Sequence, residues 1–124
     1  MNQETIIQRR IMLVLSELGC LVFRNETAGA WIGKKIHQAG DQVTLTNARM
    51  MIFGLCKGSS DLVGVAPCGR FFAIEVKTKT GRATKEQLNF LEQIRQHGGL
   101  AGIARTTEEA KGIINDNKKP SLVR

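Results

Sequence analysis

Asp61, Glu75 and Lys77 set two carboxylates and an ammonium at intervals that strand pairing can bring together. Glu75 and Lys77 stand one residue apart in the run Phe71-Phe72-Ala73-Ile74-Glu75-Val76-Lys77, whose apolar content is that of a strand. Side chains alternate along a strand, so Phe72, Ile74 and Val76 take one face while Ala73, Glu75 and Lys77 take the other. A carboxylate and an ammonium then lie side by side. Asp61 opens a second strand-like run 14 positions earlier, and a hairpin between the two runs brings its carboxylate beside Glu75. Two carboxylates converging beside a lysine suit a hard cation such as Mg²⁺, which takes oxygen ligands and keeps several waters. The competing reading is an exposed Glu75–Lys77 pair on a solvated sheet face, which an isolated E-x-K would favour.

Two further residues bear on the choice. Glu4 lies seven residues, or two helical turns, before Ile11 and shares the direction of an apolar stripe. A carboxylate aimed inward costs free energy unless paired or bound to metal, whereas an acid in a first helical turn is ordinary dipole chemistry. Both readings of Glu4 stay open. Gln87 has the same ambiguity: it ends the capping-box pattern Thr84-Lys85-Glu86-Gln87, yet sits where it can approach the carboxylates.

The elements that must position these residues follow from periodicity and punctuation. Ile7, Ile11, Val14, Leu15 and Leu18 recur at helical spacing over residues 3–18, and Gly19 stops the helix. Leu21-Val22-Phe23 is a short strand. Residues 26–60 break the pattern, with glycines at 29, 33, 40, 54 and 58, so hairpins are expected there without fixed positions. Strands at 61–66 and 71–77 flank the turn Pro67-Cys68-Gly69-Arg70. A helix from Thr84 to Gly98-Gly99, a strand over Leu100 to Ala104 and a last helix opened by Thr106-Thr107-Glu108-Glu109 complete the order. The expected fold class is α/β, in the order α-β-β-β-α-β with a final short helix, its mixed sheet flanked by the opening and crossover helices. One domain is expected over residues 1–114, with 26–57 a variable insertion and 115–124 a loosely held basic tail.

Composition narrows the partners. At 124 residues and 42% hydrophobic content the chain can bury one core. No run approaches the roughly 20 apolar residues of a membrane span, and no signal-peptide pattern opens the chain, so a cytoplasmic location without membrane contact is expected. Cys20, Cys56 and Cys68 form no C-x-x-C pair and are expected to be reduced. The net charge of +7 favours a polyanion. Arg24, Asn25, Lys34, Lys35, Lys57, Lys79 and Arg82 lie in segments that flank the candidate site, as does Arg49, and phosphate contacts from such residues position a duplex without reading it. For each one singly, a solvated surface position is the competing reading. Trp31 has two readings, a base-stacking wedge or a packing anchor. His37 and His97 lack metal-ligand spacing and are taken as structural.

The ordered set Glu4-Thr5-Ile6-Ile7, Phe23-Arg24-Asn25, Gly58-Ser59-Ser60-Asp61-Leu62, Ile74-Glu75-Val76-Lys77, Thr84-Lys85-Glu86-Gln87-Leu88 and Gly98-Gly99 resembles the VRR-NUC family. These are the virus-type replication-repair nucleases of the PD-(D/E)XK restriction-endonuclease-like superfamily. The resemblance runs from residue 4 to about 110 and is poorest over 26–57. It implies metal ligation by Asp61, Glu75 and the backbone carbonyl of Val76, with support from Glu4, and catalytic roles for Lys77 and Gln87. The implied cofactor is Mg²⁺, with Mn²⁺ able to substitute.

Stand-alone members of the family, from phages and bacteria, resemble Holliday junction resolvases that act as homodimers. The resemblance therefore implies a homodimeric, structure-selective DNA endonuclease of repair or recombination, acting in a bacterial or phage-infected cytoplasm. A two-fold dimer suits a four-way junction, which needs two nicks related by symmetry. Residues 26–57 are expected to help form the dimer or the junction-binding surface. Two alternatives are kept: the same chemistry on flaps, nicked or linear duplex, and a non-catalytic DNA-binding accessory module whose acidic cluster is structural.

Overall fold

A computed structural model describes residues 2–116. The chain runs α1 (Gln3–Glu17), β1 (Leu21–Arg24), β2 (Ala28–Ala39), β3 (Gln42–Phe53), β4 (Leu62–Val65), β5 (Phe71–Val76), α2 (Lys85–Gln96), β6 (Leu100–Ala104) and α3 (Thr107–Ile114). Four strands form one sheet in the order β1-β4-β5-β6. β1, β4 and β5 pair antiparallel, and β5 pairs parallel with β6 across the α2 crossover, so the sheet is mixed as expected. The expected tail falls mostly on residues 117–124, outside the described part of the chain. No described helix is long and apolar enough to cross a membrane.

Around Glu75 the sheet is covered on both faces, and this decides what Glu75 experiences. On one face Leu62, Phe72, Ile74, Val76, Leu100 and Ala104 pack with Ile11 and Leu15 of α1 and with Ala110 and Ile114 of α3. On the other, Val63 and Ala73 pack beneath Leu91 of α2. The period-2 alternation of β5 therefore separates two cores rather than a core from solvent. The solvated-face reading of Glu75 fails for this reason: α2 covers that face, and Glu75 is only 2% exposed.

Gly64 shows how tightly β1 is held. A Cβ at this position would stand 1.8 Å from the Leu21 carbonyl oxygen and 2.8 Å from the Phe72 ring. Backbone cannot yield as a flexible side chain can. Gly64→Ala is expected to cost roughly 3 kcal/mol or more, as overpacking against fixed backbone does, and to lower the urea midpoint accordingly. An unchanged midpoint would show that β1 is free to move away from β4.

Residues 26–60, unplaced by pattern, hold one long hairpin. β2 and β3 are each 12 residues and form a separate two-stranded sheet closed at Gly40-Asp41. At about 3.3 Å per residue the arm is roughly 40 Å long. Bulges interrupt its register between Ile32 and Lys34 and between Lys35 and His37. Most of its residues are exposed on both faces. No alternation of apolar and polar residues was therefore required of this segment, and each bulge shifts the phase of what remains.

Candidate metal centre and active site

Asp61 sits at the entry to β4, opposite the C-terminal end of β5. Leu62 is in register with Ile74, which places Asp61 against the backbone that follows Glu75. There the Asp61 Oδ2 accepts a hydrogen bond from the Val76 N–H at 2.9 Å. The expected hairpin does bring the two carboxylates together. Asp61 stands close enough to Glu75 for its negative charge to act on the Glu75 carboxyl.

Glu75 has three unequal neighbours. Its Oε1 accepts from Gln87 Nε2 at 3.0 Å and lies 3.6 Å from the Lys77 Nζ. Its Oε2 is buried and has no hydrogen-bond donor. Burial, and then the Asp61 charge, push the Glu75 carboxyl from its ordinary 4.5 up to about 8, against the opposing pull of Lys77. At neutral pH Glu75 thus tends to hold a proton that a cation would have to displace.

Gln87 both caps α2 and reaches Glu75. Its backbone N–H donates to Thr84 Oγ1 at 3.1 Å, and its side-chain oxygen accepts from the Thr84 N–H at 2.8 Å, a reciprocal capping box. The amide nitrogen is left over, and it is this end that reaches Glu75. A helix cap has been turned into an orienting group for a buried carboxylate.

Glu4 is not gathered with the others. Among the described residues no group of three or more His, Cys, Asp or Glu side chains is placed to hold a metal ion. The physical reason is the layering: α1 packs through Ile11 and Leu15 on the face opposite the one that carries Glu75. Glu4 stays half-buried in the first turn of α1, where the helix N-terminus favours a negative charge. The polar residue that α1 does bury is Gln8, one turn further on, which the apolar stripe gave no cause to single out.

The basic residues fall into three places. Lys34 and Lys35 are exposed on the arm, where Lys35 donates to Gln38 at 3.0 Å. Lys79 and Arg82 are exposed on the loop between β5 and α2, beside Lys77. Arg105 holds that loop by donating to the carbonyls of Thr78 and Gly81 at 2.5 and 2.6 Å, a role no local pattern could reveal. At the root of the arm, Arg24 pairs with Glu26 at 2.6 Å and Lys57 lies 4.0 Å from Glu86. Asn25 differs from all of these. Both its amide protons and its amide oxygen are engaged within the protein, so it has little left to offer a phosphate.

Asn25, Glu26, Thr27, Ser59, Asp61 and Gln87 line a cleft of about 320 Å³ that reaches Asp61 but not Glu75. Its lining is mostly polar. A family model described as the VRR-NUC domain matches residues 25–108. The chain belongs to the VRR-NUC family. The match begins at Asn25 and takes in the arm, both carboxylates, Lys77 and Gln87. A solved structure described as a VRR_NUC domain aligns over 95% of this chain and 100% of its own, with a TM-score of 0.58 at 17% identity. At that identity the likeness shows the fold. The chain has no significant match among curated proteins. This VRR-NUC domain therefore has a nuclease-type fold, with Glu75 buried and Asp61 and Lys77 half-buried at one end of the sheet.

The residues present fit a hard cation. Asp61 and Glu75 offer only oxygen donors, and the Glu75 Oε2 is a buried acceptor with nothing to accept from. Such an atom costs free energy until a cation or a proton satisfies it.

Proposed function

We propose that this VRR-NUC domain is a divalent-metal-dependent, structure-selective DNA endonuclease acting as a homodimeric Holliday junction resolvase. The observation that supports it most is the buried Glu75 with its unpartnered Oε2, set beside Lys77 and beside Asp61, which lines a polar cleft. Asp61 and Glu75, with the Val76 carbonyl, would hold Mg²⁺ or Mn²⁺. When bound, such an ion neutralises phosphate charge and acidifies a water molecule.

The chain's own residues supply the rest. Gln87 fixes the Glu75 Oε1 by its hydrogen bond, and the Val76 N–H holds Asp61 in place. The Lys77 ammonium orients the attacking water or balances the negative charge that grows on the phosphate. Water adds its oxygen to phosphorus in line, the bond to the 3′ oxygen breaks, and the products are a 5′-phosphate and a 3′-hydroxyl. Lys79, Arg82, Lys34 and Lys35 contact phosphates and set the duplex in register.

Two surfaces support a dimer. Leu21, Val65 and Phe71 are cross-strand partners on one face of the sheet, with Phe23 beside them, and all four are exposed. Trp31, 64% exposed, shares a face of the arm with Met50, and Met50 and Ile52 lie over Gly29. A two-stranded ribbon alone is marginally stable in water, so a covering surface, partner or DNA, suits this arm.

Labelled four-way junction, flap and linear duplex, each with Mg²⁺ or with EDTA, separate the readings. Paired symmetric nicks in the junction, abolished by EDTA, are expected, together with a dimer in sedimentation. Preferential cutting of flap or linear duplex would move the substrate. Absence of cutting with either Mg²⁺ or Mn²⁺ would leave the accessory-module reading.

A further inference from the structure

Asp61 is positioned from outside its own strand pair, and the group that positions it is Asn25. The Asn25 N–H donates to the Asp61 carbonyl at 2.7 Å, extending the β1–β4 ladder by one step past Leu62. The Asn25 side chain then donates to Ser59 Oγ at 2.8 Å and to the Ser60 carbonyl at 2.9 Å. Its Oδ1 accepts from the Leu55 N–H at 3.3 Å. One side chain therefore ties the end of β1, the exit of β3 and the two residues that lead into Asp61.

The segment it holds has little freedom on its other sides. Thr27 Oγ1 donates to the Cys56 carbonyl and shares a hydrogen bond with Ser59 Oγ, each at 3.1 Å. Gly58 adopts φ +84°, and a Cβ there would stand 2.7 Å from the Glu86 backbone, in the first turn of the helix that carries Gln87. Ser60 is 1% exposed. The loop from 54 to 60 is thus wedged between Asn25 and the start of α2, with Asp61 at its end.

We infer that Asn25 is a positioning residue for Asp61, fixing the carboxylate for the metal and joining the root of the β2–β3 arm to that site. The inference rests on Asp61 being a metal ligand, as proposed above. The direct readout is Mn²⁺ binding, followed by electron paramagnetic resonance of the free ion, with the folded full chain and no DNA. Asn25→Ala is expected to weaken Mn²⁺ binding by about 10-fold or more, the range found for residues that orient a ligand. In cleavage its kcat should recover as Mn²⁺ is raised, while KM for DNA stays at the parent value.

Ser59→Ala removes one of the Asn25 bonds and should shift Mn²⁺ binding in the same direction by a smaller factor. It stands in for Asn25→Ala if thermal melting shows that the latter does not fold. Parental Mn²⁺ affinity in the folded Asn25→Ala protein, or in Ser59→Ala where that variant stands in, would overturn the inference. A kcat loss that excess Mn²⁺ does not recover would do so as well. Asp61→Asn separates the two levels: it should lose Mn²⁺ binding, and if it binds like the parent, the metal-site reading itself is wrong.

Discussion

Asp61→Asn is expected to reduce DNA cleavage by about 10²- to 10³-fold while leaving DNA binding close to the parent level, the scale of losses when a group that stabilises transition-state charge is removed. The substitution keeps the shape of the side chain, and an amide oxygen can still accept from the Val76 N–H that now bonds Oδ2. What it removes is the negative charge. That charge is one of the causes that raise Glu75 to about 8, so its loss relieves a repulsion on the buried Glu75 carboxyl. Without metal, the variant should therefore melt no lower than the parent at pH 8, and its Tm gain should shrink as pH falls. Lost activity with retained or increased stability is the signature of a site that holds two like charges for function. Cleavage near the parent rate in saturating Mg²⁺ would remove Asp61 from the site. A large fall in Tm would make it a structural residue instead.

The second large effect is linkage among protons, metal and stability. A glutamate in the unfolded chain releases its proton near 4.5, whereas Glu75 in the folded protein holds it up to about 8. Between those values the folded state carries a proton that the unfolded state has lost, so stability falls as pH rises through the window. For this one group the slope reaches about 1.4 kcal/mol per pH unit and flattens above the folded value. Thermal melts in EDTA at pH 5, 6, 7 and 8 should show the decline, and Glu75→Gln should lose this component of it.

Mg²⁺ acts in the opposite sense, because it binds the carboxylate and must displace the proton. The Mg²⁺-dependent rise in Tm should therefore grow from pH 6 to pH 8. Calorimetry in buffers of different ionisation enthalpy should register proton release on binding. A parent melt with the same pH slope as Glu75→Gln, or a Mg²⁺ shift equal at every pH, would contradict the pairing of Glu75 with a metal.

Legibility in the sequence followed the range of the interaction. α1, α2, β4, β5 and β6 were readable because each carries a local signal: an apolar stripe at helical spacing, a capping box, or a β-rich run bounded by a turn. Leu62 pairs with Ile74 because a short turn leaves the two strands little choice of register, so Asp61 and Glu75 could be brought together on paper. The arm was not readable, since strands exposed on both faces have no hydrophobic pattern to impose and two bulges break what phase there is.

The chemical types at the site, their order along the chain and the hairpin that joins Asp61 to Glu75 follow from local residue patterns. Their environment comes from packing between elements distant along the chain. Packing of α2 over the second sheet face buries Glu75, leaves Oε2 without a donor and turns the Gln87 cap toward Oε1. Packing of α1 on the first face keeps Glu4 out of the carboxylate group. Asn25, which looks like one more polar residue among basic ones, becomes the tie between arm and site through partners 30 to 35 positions away. Burial and long-range hydrogen bonds depend on which surfaces meet in three dimensions, and no local spacing encodes that meeting.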